Sequence, residues 1–397
     1  MFSINSLPYL IFIFSSLLFS LIPILLPNRV YLPYENRIKI YKNDMIFSAY
    51  FCVLASLFFM GLRGDIFSDM PVYHQMYNNS PNIFKFSQRS LHPDPGIATY
   101  EPAFIFYMFL CKTFFYDFET FVFLSFLIDF FIMFFVAKRY VGKYTMLAMV
   151  IFYIMGGIMF EANVLRNSKS LMCFLLSLSF LENKKLIPYL LLNFLGSLFH
   201  ATGLLFIPLY FVLNKMWNRR LVFSVFIAGN VIYLFNISFW QQILQWVADI
   251  YPHRLTHLAA LYMHVTERQA TGITVGYFER NLTFLLLFFN YSKLLKSDKR
   301  TLIFINMFYL LLFTYLFCSE NVVLAGRISG LFIFSYPIVY PKLFSFLKDK
   351  YSQEIVLVIF CIYSFLKYAN YGNVDVPLGE QGIYRNVLLR ELGIGDF

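Results

Sequence analysis

Residues 61–77 read Gly-Leu-Arg-Gly-Asp-Ile-Phe-Ser-Asp-Met-Pro-Val-Tyr-His-Gln-Met-Tyr, the densest polar stretch next to an apolar run. It sets Arg63, Asp65, Asp69, Tyr73, His74 and Tyr77 side by side. A carboxylate on a low-dielectric rim can act as general base toward a hydroxyl, so Asp69, and after it Asp65 or Glu101, are the candidate catalytic groups. Asp and Ser are equally ordinary in helix caps and loop networks, and both readings stay open on the residues alone. Four arginines, Arg63, Arg166, Arg280 and Arg327, stand at boundaries of four different apolar runs. The guanidinium fork matches phosphate oxygens, and four of them on one vestibule would hold a doubly charged diphosphate; the alternative is that each snorkels to lipid headgroups or pairs with a nearby Glu. His200 lies where two short apolar runs, 186–199 and 202–213, meet. That spot suits either a hydrogen-bonded core histidine or the apex of a half-depth substrate site. His253 and His257 have i,i+4 spacing, but no carboxylate or cysteine completes a metal set. Trp240, Trp246, Tyr251 and Tyr262 read first as an interfacial aromatic belt.

The elements that position these groups follow from composition. Of 397 residues, 59% are hydrophobic, 21% aromatic and 14% charged, against about 25% charged in a soluble domain. Mean hydropathy is +0.64. Such a chain cannot clothe a globular surface in polar groups. A soluble domain, a disordered protein and a disulfide scaffold are therefore excluded, and the fold class expected is an all-α polytopic membrane protein. Apolar runs bounded by charges fall near 7–27, 45–62, 120–137, 144–161, 166–181, 186–199, 202–213, 221–236, 272–291, 301–318, 327–341 and 354–369, which predicts about 12 transmembrane helices, several shorter than the ~20 residues of a straight span.

Nineteen of the 32 basic residues fall in one set of short loops, among them Lys138, Arg139, Lys184, Lys185, Arg219, Arg220, Lys299 and Arg300. The positive-inside rule makes those loops cytoplasmic and puts both termini outside, provided 102–116 does not span and lies at the interface. The first apolar run has no basic residue ahead of it and no small-x-small cleavage site, so a retained helix is expected rather than a signal peptide. A single transmembrane domain, 1–397, then carries two long outer loops, 63–119 and 237–271, and an outer tail, 370–397. Glu161, Lys169, Glu279 and Glu320 fall on the same outer face. The five cysteines all lie in apolar runs with no metal-type spacing and read as small core hydrophobes.

No phosphate loop or dinucleotide fingerprint occurs, and the cytoplasmic loops are too short for a nucleotide-binding domain. Any donor must arrive in the membrane already activated, which points to polyprenyl-linked substrates. No nucleic-acid partner, cofactor or metal is expected.

One ordered set of motifs is familiar. Arg63 is followed six residues later by Asp69, then Tyr73 and Tyr77; Tyr100-Glu101-Pro102-Ala-Phe104 comes next, and Leu165-Arg166-Asn167 opens a run. Ser197-Leu-Phe199-His200-Ala-Thr-Gly-Leu-Leu-Phe-Ile-Pro208 follows, and Arg327 has Phe332 beyond it. This resembles the EpsG family of bacterial exopolysaccharide proteins, which includes many Wzy-type polymerases, over about residues 50–345. The chain departs from the family pattern in lacking further glycines between Arg63 and Asp69, and in having Asn167 after Arg166. The resemblance implies an inner-membrane glycosyltransferase of GT-C-like architecture with a periplasmic active site. It would transfer glycan from undecaprenyl diphosphate to the non-reducing end of an incoming lipid-linked repeat unit. It also implies a flippase and a chain-length regulator in the same pathway. On that reading Asp69, Asp65 or Glu101 is the base, Arg63, Arg166, Arg280 and Arg327 hold the diphosphate, and Tyr73 and His200 face the glycan. An O-antigen ligase shares this chemistry. A lipid-linked oligosaccharide flippase fits the span count but predicts polarity midway along helices in two equal halves.

Overall fold

The computed structural model describes residues 4–25, 46–67, 69–85, 101–240, 242–243, 246, 272–347, 349–369 and 383–392. His253, His257, Tyr251, Tyr262, most of the 237–271 loop, residues 86–100 of the first loop and much of the tail lie outside the described residues.

The described chain is helical, and among the described residues the single β-type pairing is an isolated bridge between Arg63 and Asn386. Packing divides it into two units, Met1–Val212 with Tyr340–Phe397, and Leu213–Val339. Two helical stretches among the described residues are long and apolar enough to cross a membrane, Ile4–Leu21 and Phe118–Asn163. Apolar helices of 10–17 residues include Ile46–Gly61, Pro102–Phe114, Leu186–Phe199 and Thr301–Phe317. Large apolar side chains such as Leu18, Phe135, Ile187, Leu191 and Ile359 are exposed on these helices, as expected where lipid replaces water against the outer surface.

In the first unit, α1 (Leu7–Leu25) packs on α6 (Thr145–Phe152) and on a late helix, Lys350–Tyr368. Helix α2 (Ile46–Gly61) ends in a π turn over Leu57–Gly61. Then come α3 (Met70–Asn79), α4 (Pro102–Phe114) and α5 (Phe118–Val141). Most of the segment 102–116 is helix α4, which packs on α5. Asp117 caps α5 by accepting the Thr120 N–H at 2.6 Å. Helix α6 runs through a second π turn, Tyr153–Gly157, into α7 (Ile158–Asn163). Gly156 there has φ 122°, open to glycine and strained for any L side chain.

A break at Val164 starts α8 (Leu165–Glu182), which packs along α9 (Leu186–Phe199). His200 then separates α9 from a 3-10 helix, Ala201–Phe211, which folds back on α9. The two short runs on either side of His200 are thus two helices meeting in a tight turn. Gly203 makes the turn possible: a Cβ there would lie 2.4 Å from the Ser197 nitrogen and 2.6 Å from the Gly196 carbonyl carbon. Backbone cannot yield as a flexible side chain does. Gly203→Ala is expected to lower stability by about 1–3 kcal/mol, seen as a drop in melting temperature of the purified protein; an unchanged melt would show that the turn relaxes freely.

Residues 383–392 pack back on the end of α2. Arg385 O accepts the Gly64 N–H at 3.0 Å, Leu62 O accepts the Val387 N–H at 2.8 Å, and the Tyr384 hydroxyl donates to Phe59 O at 2.9 Å. The Tyr384 ring stacks on Phe59 at 4.2 Å.

In the second unit, α10 (Arg219–Leu234), α11 (Val275–Ser297) and α13 (Val322–Gly330) surround α12 (Thr301–Phe317). Asn306 in α12 donates to the Leu213 and Lys215 carbonyls at 2.8 and 2.9 Å, tying down the chain ahead of α10.

Candidate functional site

The first unit gathers six of the nominated residues, Asp65, Asp69, Tyr73, Glu101, Arg166 and His200, around the start of α8. Breaking the helix at Val164 puts Arg166 and Asn167 in the first turn of α8, where unpaired backbone N–H groups and the helix dipole favour negative charge. Arg166 Nη1 meets Glu101 Oε2 at 2.7 Å, and both side chains are about one-fifth exposed. Arg166 Nε points to the Tyr73 hydroxyl at 3.4 Å. Glu101 sits at the mouth of α4 and also accepts the Ala201 N–H on Oε1 at 3.1 Å. One carboxylate therefore joins α4, α8 and the His200 turn.

His200 belongs to the same network. Its Nδ1 lies 2.8 Å from Thr202 Oγ1 and accepts the Thr202 N–H at 3.2 Å, capping the 3-10 helix. Thr202 Oγ1 in turn donates to Asn167 Oδ1. The ring of Tyr73 is buried against Phe104 of α4, in an apolar cluster that also holds Tyr77, Phe118, Phe121 and Leu165.

The loop before α3 is held at both ends. Asp69 takes the cap position of α3, yet its carboxylate makes no cap hydrogen bond; its N–H donates to Asn163 Oδ1 at 2.9 Å. Asp65 Oδ2 lies 2.6 Å from His74 Nδ1, both side chains about 30% exposed. Between the two aspartates the buried Phe67 has φ 68°, a left-handed conformation that a bulky residue adopts only under constraint. Strain of this kind collects where loop geometry serves a function.

Arg63 faces the other way. It is 1% exposed, and its guanidinium donates to Met60 O and to Glu161 O, the latter at 3.0 Å. Arg63 and Glu161 each come after one of the two π turns, and π turns collect at functional sites. Glu161 is fully buried and feels the charges of Asp129, Lys169 and Arg63. Lys169 Nζ contacts Asp129 Oδ2 at 2.7 Å and donates to Ser125 O at 2.7 Å, while the Ser168 hydroxyl donates to the same carboxylate oxygen at 2.7 Å. Arg63, Glu161, Asp129 and Lys169 thus form a buried cluster of ionisable side chains. Asp129, which joins α5 to it, escaped the sequence reading. A lone Asp in the apolar run FVFLSFLIDFFIMFFV was the available signal, since ionisable groups at membrane depth have a role by default.

The remaining two arginines belong to the second unit, described by itself. Arg280 lies over the Tyr315 ring at 4.0 Å, and its neighbour Glu279 accepts the Tyr336 hydroxyl at 2.9 Å. Arg327 is exposed in the last turn of α13. Glu320 accepts the Phe239 and Trp240 N–H groups at 2.9 and 2.8 Å. Among the described residues no group of three or more His, Cys, Asp or Glu side chains is arranged to hold a metal.

An all-helical chain with apolar helices, an exposed apolar surface and a cluster of Arg, Glu, Tyr and His at one helix mouth defines a membrane-embedded protein with a polar site. Its match to the EpsG family model extends over residues 45–374, and the chain belongs to the EpsG family. That family is one of membrane-embedded proteins of polysaccharide biosynthesis with glycosyltransferase-type activity. No curated protein and no solved structure matches the chain significantly.

Proposed function

We propose that this chain is a polysaccharide polymerase of the O-antigen type, a multi-pass inner-membrane enzyme of GT-C-like architecture working at the periplasmic face. It takes a glycan from undecaprenyl diphosphate and joins it to the non-reducing end of an incoming lipid-linked repeat unit. The observation that carries this reading is the Arg166–Glu101–Tyr73 assembly at the N-terminus of α8. A fixed guanidinium and a helix N-terminus stabilise a departing diphosphate, and the base for the acceptor hydroxyl is drawn from the neighbouring rim, residues 65–74. His200 and Tyr73 border the glycan. On this reading Arg63, committed to two backbone carbonyls, organises the wall behind the site.

Surface polysaccharide from a deletion strain separates this function from its rivals. The deletion is expected to leave core capped by one repeat unit, and the intact gene to restore the ladder. Bare core with accumulated lipid-linked polymer would identify a ligase instead, and bare core without polymer a flippase.

A further inference from the structure

Asp65, ahead of α3, and His74, within α3, form a pair that the diphosphate site does not use. Asp65 Oδ2 grips His74 Nδ1 at 2.6 Å across nine residues, and the imidazole stacks on Phe118 with centroids 4.5 Å apart and planes 13° from parallel. A ring held by a carboxylate at one nitrogen and by an aromatic face below it has one orientation. Among the described residues no hydrogen-bond partner meets its other nitrogen, Nε2, and the side chain is 31% exposed. Phe118, beneath the His74 ring, belongs to the same buried cluster as Tyr73, whose hydroxyl receives Arg166 Nε. Two of the three nominated bases are already engaged. Glu101 is occupied by Arg166 and by the Ala201 N–H, and Asp65 is engaged by His74.

We propose that His74 is the catalytic base of the glycosyl transfer and Asp65 its positioning residue, an inference that rests on the polymerase reading above. His74 Nε2 takes the proton of the acceptor sugar hydroxyl. That oxygen bonds to the anomeric carbon of the donor as the anomeric carbon–diphosphate bond breaks. The electron pair of the broken bond leaves on undecaprenyl diphosphate at Arg166, and the histidine later returns its proton to solvent. Asp65 holds the tautomer with Nδ1 protonated and Nε2 open, and steadies the imidazolium as it forms.

The test uses the purified full-length protein in lipid nanodiscs, with lipid-linked repeat units extracted from the deletion strain as substrate. His74→Ala is expected to lower kcat by about 100-fold or more with KM little changed, and added imidazole to restore turnover. Asp65→Asn is expected to fall less far and to be insensitive to imidazole. If the alanine variant fails to fold, His74→Gln serves, because its amide keeps a hydrogen bond to Asp65 and cannot take a proton. Full activity in folded His74→Gln or His74→Ala, or a folded, inactive His74→Ala that imidazole does not rescue, overturns the role of His74 and leaves the polymerase reading standing. A wild type that makes no polymer from these units would instead overturn the polymerase reading itself.

Discussion

Lys169→Met is expected to be the most destabilising single change in the described chain, with about 3–5 kcal/mol lost. Lys169 is 6% exposed and its ammonium touches Asp129, itself 1% exposed. Removing Lys169 leaves the buried Asp129 carboxylate without the cation that contacts it and with the Ser168 hydroxyl as its donor. Breaking a buried pair on one side is the costly case. Removing both partners together, Lys169→Met with Asp129→Leu, leaves neither member of the pair uncompensated and is expected to recover most of the loss. The two singles and the double make a cycle, read as thermal melts and as yield of monodisperse protein. A Lys169→Met variant that melts like the wild type would show that the cluster contributes nothing to holding α5, α7 and α8 together.

That cluster also marks where the sequence was hard to read. Arg63, Glu161 and Lys169 are visible as charges beside apolar runs, and placing them all on the outer face was a natural inference. The fold buries all three, Arg63 on the Glu161 carbonyl and Lys169 on Asp129 of α5, beside the two π turns and the break at Val164. Neither a π turn nor a helix break has a composition that hydropathy would register. Asp129 disappears for a simpler reason, since one carboxylate barely lowers the mean of a 24-residue apolar helix. Local features were more legible: the turn at His200-Ala-Thr-Gly203 follows from a polar, glycine-bearing break between two apolar runs, and Pro102 after Glu101 starts α4 as a first-turn proline should. The docking of Tyr384 and Asn386 on α2 had no sequence signal, because its partners lie more than 320 residues away and are mostly backbone carbonyls.

Arg166→Ala is expected to lower turnover of lipid-linked repeat units by about 100- to 1,000-fold, the usual consequence of removing one preorganised donor from a developing negative charge. The fold should survive, since Arg166 is partly exposed and its removal leaves Glu101 with solvent and the Ala201 N–H as partners. Arg166→Lys is expected to recover little: an ammonium can reach either Glu101 or Tyr73, whereas the guanidinium spans both through Nη1 and Nε. Glu101→Gln is the informative companion. It keeps an oxygen for the Ala201 N–H but removes the charge that aims Arg166, so activity should fall by less than in Arg166→Ala. If Glu101 were itself the proton acceptor, the glutamine variant would be as inactive as the alanine one, and the base would have to be moved from His74 to α4. Comparing the three variants at matched expression therefore tests whether charge at the mouth of α8 drives departure of the diphosphate. A folded Arg166→Ala variant with wild-type turnover would remove the diphosphate from this site altogether.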